Sequence, residues 1–194
     1  KIESGEIRLE ENIISSNNTF SNPRELRHKD LAHVPEDRQR MGLVTEFDAS
    51  ENIIFGYHHQ YPFSKSSIMI GSNIYNHSKK IMKEYDVRPQ SPFLKTSNFS
   101  GGNQQKIILS RELNKDPKVL LVGQPTRGVD IGAIEFIHQR IIDMRDKGAA
   151  ILLVSVELDE ILSLSDRIIV MFDGKLVGER NNENVTDREI GLLM

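Results

Sequence analysis

Two apolar periodicities share this chain, and their order predicts its architecture. From Asn98 onward, short continuous apolar runs are separated by stretches in which apolar positions recur three or four apart. A helix from about Gly102 to Asn114 leads into the strand Val119-Leu-Leu-Val122, and a helix from about Gly132 to Lys147 leads into Ala150-Ile-Leu-Leu-Val154. A helix from about Leu158 to Leu164, the strand Ile168-Ile-Val-Met-Phe172 and a hairpin turn at Asp173-Gly174 into Lys175-Leu-Val177 complete the series. Strands apolar on both faces and separated by helices predict an α/β fold, a parallel sheet covered on both sides. Phe136, Ile137 and Ile141 fall at core positions by helical spacing.

The first half is less regular. Glu6-Ile-Arg-Leu9, after a turn at Ser4-Gly5, and Leu31-Ala-His-Val34, before Pro35, read as strands, and residues 1 to about 45 as short strands and polar turns. From about Ser50 to Lys95 the chain is rich in Tyr, His, Asn and Ser, with one helical stretch from about Ile74 to Tyr85, and is expected to form an inserted helical lobe. The opening at Lys1, without an initiator Met or a secretory apolar region, reads as a cut or processed end.

Composition narrows the function classes. The 28 acidic and 25 basic side chains leave a formal charge of -3, which offers no electrostatic footprint for a nucleic-acid backbone, so no nucleic-acid partner is expected. With no cysteine there is no disulfide and no thiolate metal site. No apolar run approaches the roughly 20 residues that span a bilayer.

The segment with most chemistry is Phe99-Ser-Gly-Gly-Asn-Gln-Gln-Lys106 at the start of a helix. A hydroxyl, free backbone N–H groups and the positive end of the helix dipole make an anion site there, and the glycines let a phosphate approach the backbone. The same residues also suit an ordinary Ser cap beside a glycine turn. One helix and one strand later, Pro125-Thr-Arg-Gly-Val-Asp130 follows Val122 at the C-terminal edge of the sheet, where open α/β folds bind ligands.

Ser100-Gly-Gly-Asn-Gln-Gln-Lys106, Ser110-Arg-Glu-Leu113, the strand at Val119 and Pro-Thr-Arg-Gly-Val-Asp130 together resemble the signature motif, Walker B strand and D-loop of an ABC ATPase. The variants here, with Val34-Pro-Glu-Asp-Arg38, Gly42-Leu-Val44 and Glu51-Asn52, are similar to the second nucleotide-binding domain of simple-sugar and nucleoside importers. Phe99 stands where the family usually has Leu.

The resemblance implies a P-loop NTPase-like sheet flanked by helices, with an inserted helical subdomain. The domain would be incomplete, since no Gly-x-x-x-x-Gly-Lys-Ser/Thr phosphate loop occurs in the chain. Its implied parts are an N-terminal segment 1–45, a helical subdomain 46–113 carrying the signature, and a RecA-like core 114–194. Ser100, Gly101, Gly102 and Asn103 would meet ATP held by an opposite domain, Asp130 would lie at the domain contact, and Glu36 would stand near the Q-loop position.

The family's Walker B Asp, its catalytic Glu and its switch His correspond to Gly123, Gln124 and Val156. Gly has no side-chain ligand and a Gln amide cannot take a proton, so this half should hydrolyse ATP poorly on its own residues. No catalytic residue is intact and no protein metal site is expected. ATP and Mg2+ belong to the full-length pair, and the fragment alone is expected to be inactive. Implied partners are the first nucleotide-binding domain of the same protein, permease subunits in the membrane and, indirectly, an extracellular substrate-binding lipoprotein. The implied location is the cytoplasmic face of the membrane, peripherally. Gln124 before Pro-Thr-Arg-Gly-Val-Asp, and Glu157-Leu-Asp-Glu-Ile161, tilt the resemblance towards nucleoside importers.

Other candidates have plainer readings. Asp130 also suits a cap of the following helix, and Glu36 a solvated charged run. His58 and His59, as immediate neighbours, do not share a helical face and read as surface residues. Glu157, Asp159 and Glu160 read as solvated groups complementing a helix dipole. Two other functions fit the fold: a soluble ABC-type ATPase of translation or DNA repair, and a non-catalytic interaction module.

Overall fold

The computed structural model describes residues 5–9, 12–15, 23–183 and 185–193. The expected start at Lys1 lies outside them, as does Ser4 of the first expected turn. Strands β1 (Glu6–Leu9) and β2 (Asn12–Ser15) form an antiparallel hairpin. Helix α1 (Pro23–His28) precedes β3 (Leu31–Val34). That helix corrects the expectation of strands and turns alone before residue 45. It buries none of its residues, so no apolar period marks it.

The central sheet has the order β3-β6-β7, with β6 at Val119–Gly123 and β7 at Ala150–Val154, all parallel. Coverage on both sides holds only in part. Among the described residues β7 is an edge strand, and its Leu152 and Val154 each stay 59% exposed on one face. Strands β8 (Arg167–Phe172) and β9 (Lys175–Asn181) pair as a separate antiparallel hairpin through Asp173 and Gly174, both at positive φ.

The lobe between β3 and β6 carries α2 (Ala49–Ile53), the small hairpin β4 (Ser64–Lys65) and β5 (Ile68–Met69), and α3 (Gly71–Glu84). Asp48 caps α2 through a reciprocal capping box with Glu51. Asn52, fully buried, receives the Val44 N–H and donates to Val44 O, Asp48 O and the Thr96 hydroxyl, lacing the lobe's two ends together.

Helix α4 (Gly101–Leu113) is the axis of the fold, buried from Gln104 to Leu113. It packs on α2, β3 and α5 (Ile131–Asp146). Its apolar residues Ile107, Ile108 and Leu109 join Val34, Leu120 and Ile137 in one core. Ile137 and Ile141 are core residues as the spacing predicts, with Phe136 half-buried against them. A smaller cluster, Ile168, Val170 and Ile190, forms beneath α6 (Leu158–Leu164) and α7 (Asp187–Gly191). No described helix is long and apolar enough to cross a membrane.

The polar side of α4 holds a buried ion cluster that sequence reasoning missed. Glu112 accepts a bidentate pair from Arg27 of α1 at 2.8 and 2.9 Å and a third bond from Arg111 at 2.8 Å. Burial alone would raise the Glu112 carboxyl, but attraction and hydrogen bonds from Arg111 and Arg27 outweigh it and hold the pKa below the ordinary value.

Candidate functional site

Ser100, itself extended and two residues beyond the 3-10 turn Thr96–Asn98, caps α4. Its Oγ accepts the Asn103 N–H at 3.5 Å and the Asn103 amide at 2.9 Å. The Asn103 side-chain Oδ1 in turn accepts the Arg88 backbone N–H at 2.7 Å. Ser100 is exposed, Gly101 and Asn103 are half-buried, Gly102 between them is already buried, and burial is continuous from Gln104. The helix mouth therefore opens at the surface. The first amides of any helix lack intrahelical acceptors, and those of Gly101 and Gly102 are among them, Gly101 half-buried beside exposed Ser100.

The segment after β6 turns sharply. Gln124 has φ +47° and donates its N–H to Val154 O, and the Arg127 and Val129 N–H groups close successive turns on Gln124 O and Thr126 O. Asp130 caps α5 by accepting the Ala133 N–H at 3.0 Å, so the plainer reading of that residue is realised. The same carboxylate also lies against the helix mouth. A Cβ on Gly102 would stand 2.8 Å from Asp130 Oδ2 and 3.1 Å from the Ala133 methyl. Signature-like and D-loop-like segments are thus brought together, and glycine is what allows the approach.

Glu36 is exposed and ion-paired with Arg127 at 2.7 Å. Both partners are solvated, so the pair is worth at most about 1 kcal/mol. Arg38 donates Nη1 to Arg127 O at 2.6 Å and Nη2 to Gly128 O at 3.3 Å. No local pattern marks a role for Arg38, because its partners lie 89 and 90 positions away.

Gly123, Gln124 and Val156 come together at the ends of β6 and β7. A Cβ on Gly123 would sit 3.1 Å from Glu36 N. Gln124 Oε1 accepts the Val156 N–H at 3.4 Å, and the Val156 side chain is exposed. These three positions offer no carboxylate or imidazole, so they do not fit a magnesium ion held by protein ligands or a general base. Among the described residues no cluster of three or more His, Asp or Glu is arranged to hold a metal.

Glu160 corrects its sequence reading. Far from being solvated, it is 3% exposed, and its Oε1 accepts the Thr126 hydroxyl at 2.8 Å and lies 3.1 Å from His138 Nε2. It anchors the turn after β6 to α6, a contact across 34 positions that no local pattern marks. His58 and His59 lie on the surface, as their adjacency suggests.

The family model for the ABC transporter matches residues 1–127. The nucleoside import ATP-binding protein NupA of Lactococcus lactis subsp. cremoris (strain MG1363) is 45% identical over 194 residues, all of this chain and 38% of that protein. The guanosine import ATP-binding protein NupO of Bacillus subtilis (strain 168) is 42% identical over 172 residues, 89% of this chain and 34% of that protein. The chain thus spans a little over a third of the length of these curated relatives. Among solved structures, a dimeric ATP-binding cassette in a post-hydrolysis state, bound to ADP and Pi, shares the fold with a TM-score of 0.69. It is 21% identical and aligns over 89% of this chain and 72% of that one. The family match over residues 1–127, the identity to these relatives and the shared fold show that this chain belongs to the ABC transporter family.

Proposed function

We propose that the parent protein is the ATP-hydrolysing, energy-coupling subunit of an importer, with nucleosides favoured over simple sugars as its solutes. In this reading the chain is an incomplete second nucleotide-binding domain, divided at about residues 45 and 113. Its own site does not turn over, and its signature completes a site whose ATP is held by the opposite half. The nucleoside preference rests on the names of the two relatives above and on Gln124 and Glu157-Leu-Asp-Glu-Ile161 in the sequence.

The observation that carries the reading is the solvent-open mouth of α4, with Ser100 exposed and Gly102 against Asp130. Bound ATP with Mg2+ supplies the phosphoryl group whose transfer to water drives the cycle. Toward it, the Ser100 hydroxyl and the Gly101 and Gly102 amides donate hydrogen bonds, and the α4 dipole favours the negative phosphate. Asp130 fixes the start of α5 and the depth of the mouth. At the chain's own site Gln124 is engaged with Val156 N–H, leaving no group to deprotonate water. Permease subunits, a substrate-binding lipoprotein outside the cell and peripheral attachment at the cytoplasmic face belong to the same proposal.

The test is steady-state ATP hydrolysis by the full-length protein with the first domain's phosphate loop disabled. The reading expects turnover near background, and robust turnover would refute it. Uptake of labelled guanosine against labelled ribose by the reconstituted transporter decides the solute.

A further inference from the structure

Three segments meet beside the helix mouth: the π-helical turn Arg38–Gly42, the turn from Thr126 to Asp130, and the start of α4. Arg38 joins the first two. Its planar fork spans two successive carbonyls, Arg127 O at 2.6 Å and Gly128 O at 3.3 Å, and only a guanidinium places two donors that way. The Arg127 side chain runs back the other way to Glu36, so the two segments are clasped crosswise. Gly128 has φ +63°, a backbone state glycine adopts without strain.

The third segment is wedged against this clasp. A Cβ on Gly101 would stand 2.6 Å from Arg38 Nη2 and 2.8 Å from Gly128 O. The turn is tied to α4 a second time, by Gln39 Nε2 donating to Gln104 Oε1 at 3.3 Å. Asp37 stiffens it by accepting the Gln39 and Arg40 N–H groups. A shift of the Arg38 turn therefore displaces Gly101 and Gly128 together.

We infer that Arg38 is a positioning residue for hydrolysis in the opposite half: it locks the Arg127–Gly128 backbone against Gly101, setting the geometry with which this helix mouth closes on ATP. The inference rests on the function proposed above. Because the opposite half holds the nucleotide, loss of Arg38 acts on the closed, reacting state and leaves initial ATP binding alone.

The test is ATP turnover by the full-length protein reconstituted with its permease, comparing wild type, Arg38→Ala and Arg38→Lys. For Arg38→Ala, kcat is expected to fall about tenfold with KM for ATP within about twofold of wild type. Arg38→Lys, with one point donor, is expected to recover part of the loss, and both variants to melt with wild type. Wild-type kcat in Arg38→Ala, a rise in KM that accounts for the loss, or equal kcat in the Lys and Ala variants overturns the inference. If alanine lowers the melting temperature, Arg38→Lys alone decides: reduced kcat at wild-type KM supports the role, and wild-type kcat overturns it. A wild-type protein that hydrolyses no ATP with its permease present sinks the proposed function instead.

Discussion

Gln124 Oε1 accepts the Val156 N–H at 3.4 Å, tying the end of β6 to the chain just beyond β7. In the function proposed above, the two residues stand where a catalytic carboxylate and a switch imidazole would face each other; in the structure they form a side-chain-to-backbone tether. A carboxylate at one of them is therefore insufficient. Gln124→Glu in the full-length protein, with the first domain disabled, is expected to leave hydrolysis at background, because Gly123 adds no metal ligand and Val156 no imidazole. Phosphate release measures it.

The glycines of this region are not equivalent. Gly101→Ala drives a methyl into Arg38 and the Gly128 carbonyl, and a backbone carbonyl yields far less readily than a side-chain end. Overpacking of this kind costs about 1–3 kcal/mol. Gly132, on α5, meets nothing closer than Asp130 Oδ1 at 3.6 Å. Gly132→Ala is expected to stabilise the chain by on the order of 0.5 kcal/mol through helix propensity and a less flexible unfolded state. Urea midpoints of the two variants should move in opposite directions.

The Glu112 cluster predicts an acid limb of stability. Because its folded pKa lies below the ordinary 4.5, the cluster contributes fully above that pH and its contribution is lost as pH falls through the lowered value. Removing the acid leaves Arg111 buried without its carboxylate, so Glu112→Gln is expected to cost about 3–5 kcal/mol near neutral pH. Unfolding midpoints measured from pH 7 to pH 3 should show the gap between wild type and Glu112→Gln narrowing towards the acid end.

Tyr85 gives the matching alkaline signature. Burial raises its phenol to about 12 from 10.0, so its contribution to stability is complete below pH 10 and fades as pH rises through about 12. In an absorbance titration of the folded chain, one of the four tyrosines should ionise last, and Tyr85→Phe should remove that step.

What was legible in the sequence, and what was not, divides by distance along the chain. Continuous apolar runs located β6, β7 and β8, and helical spacing located α3, α4 and α5 to within a few residues, because burial writes a local period. The Ser-Gly-Gly start of α4 was legible for the same reason, since a cap and a close approach both need particular residues at adjacent positions. Helix α1 was not: it buries nothing, and Arg27 reaches Glu112 across 85 positions. Arg38 and Glu160 were hidden alike, their partners supplied by topology. Cover over β7 is partial, with Leu152 and Val154 exposed on one face, because apolar residues record what a strand is able to bury, not what lies against it.

In the proposed function this helix mouth serves ATP held by another domain. Ser100→Asp tests it most directly, because aspartate caps a helix as well as serine while setting a negative charge where the phosphate would arrive. ATP turnover by the full-length protein with an intact first domain is expected to fall about a hundredfold with the melting temperature unchanged. Turnover equal to wild type in that variant would show that the mouth does not receive the phosphate.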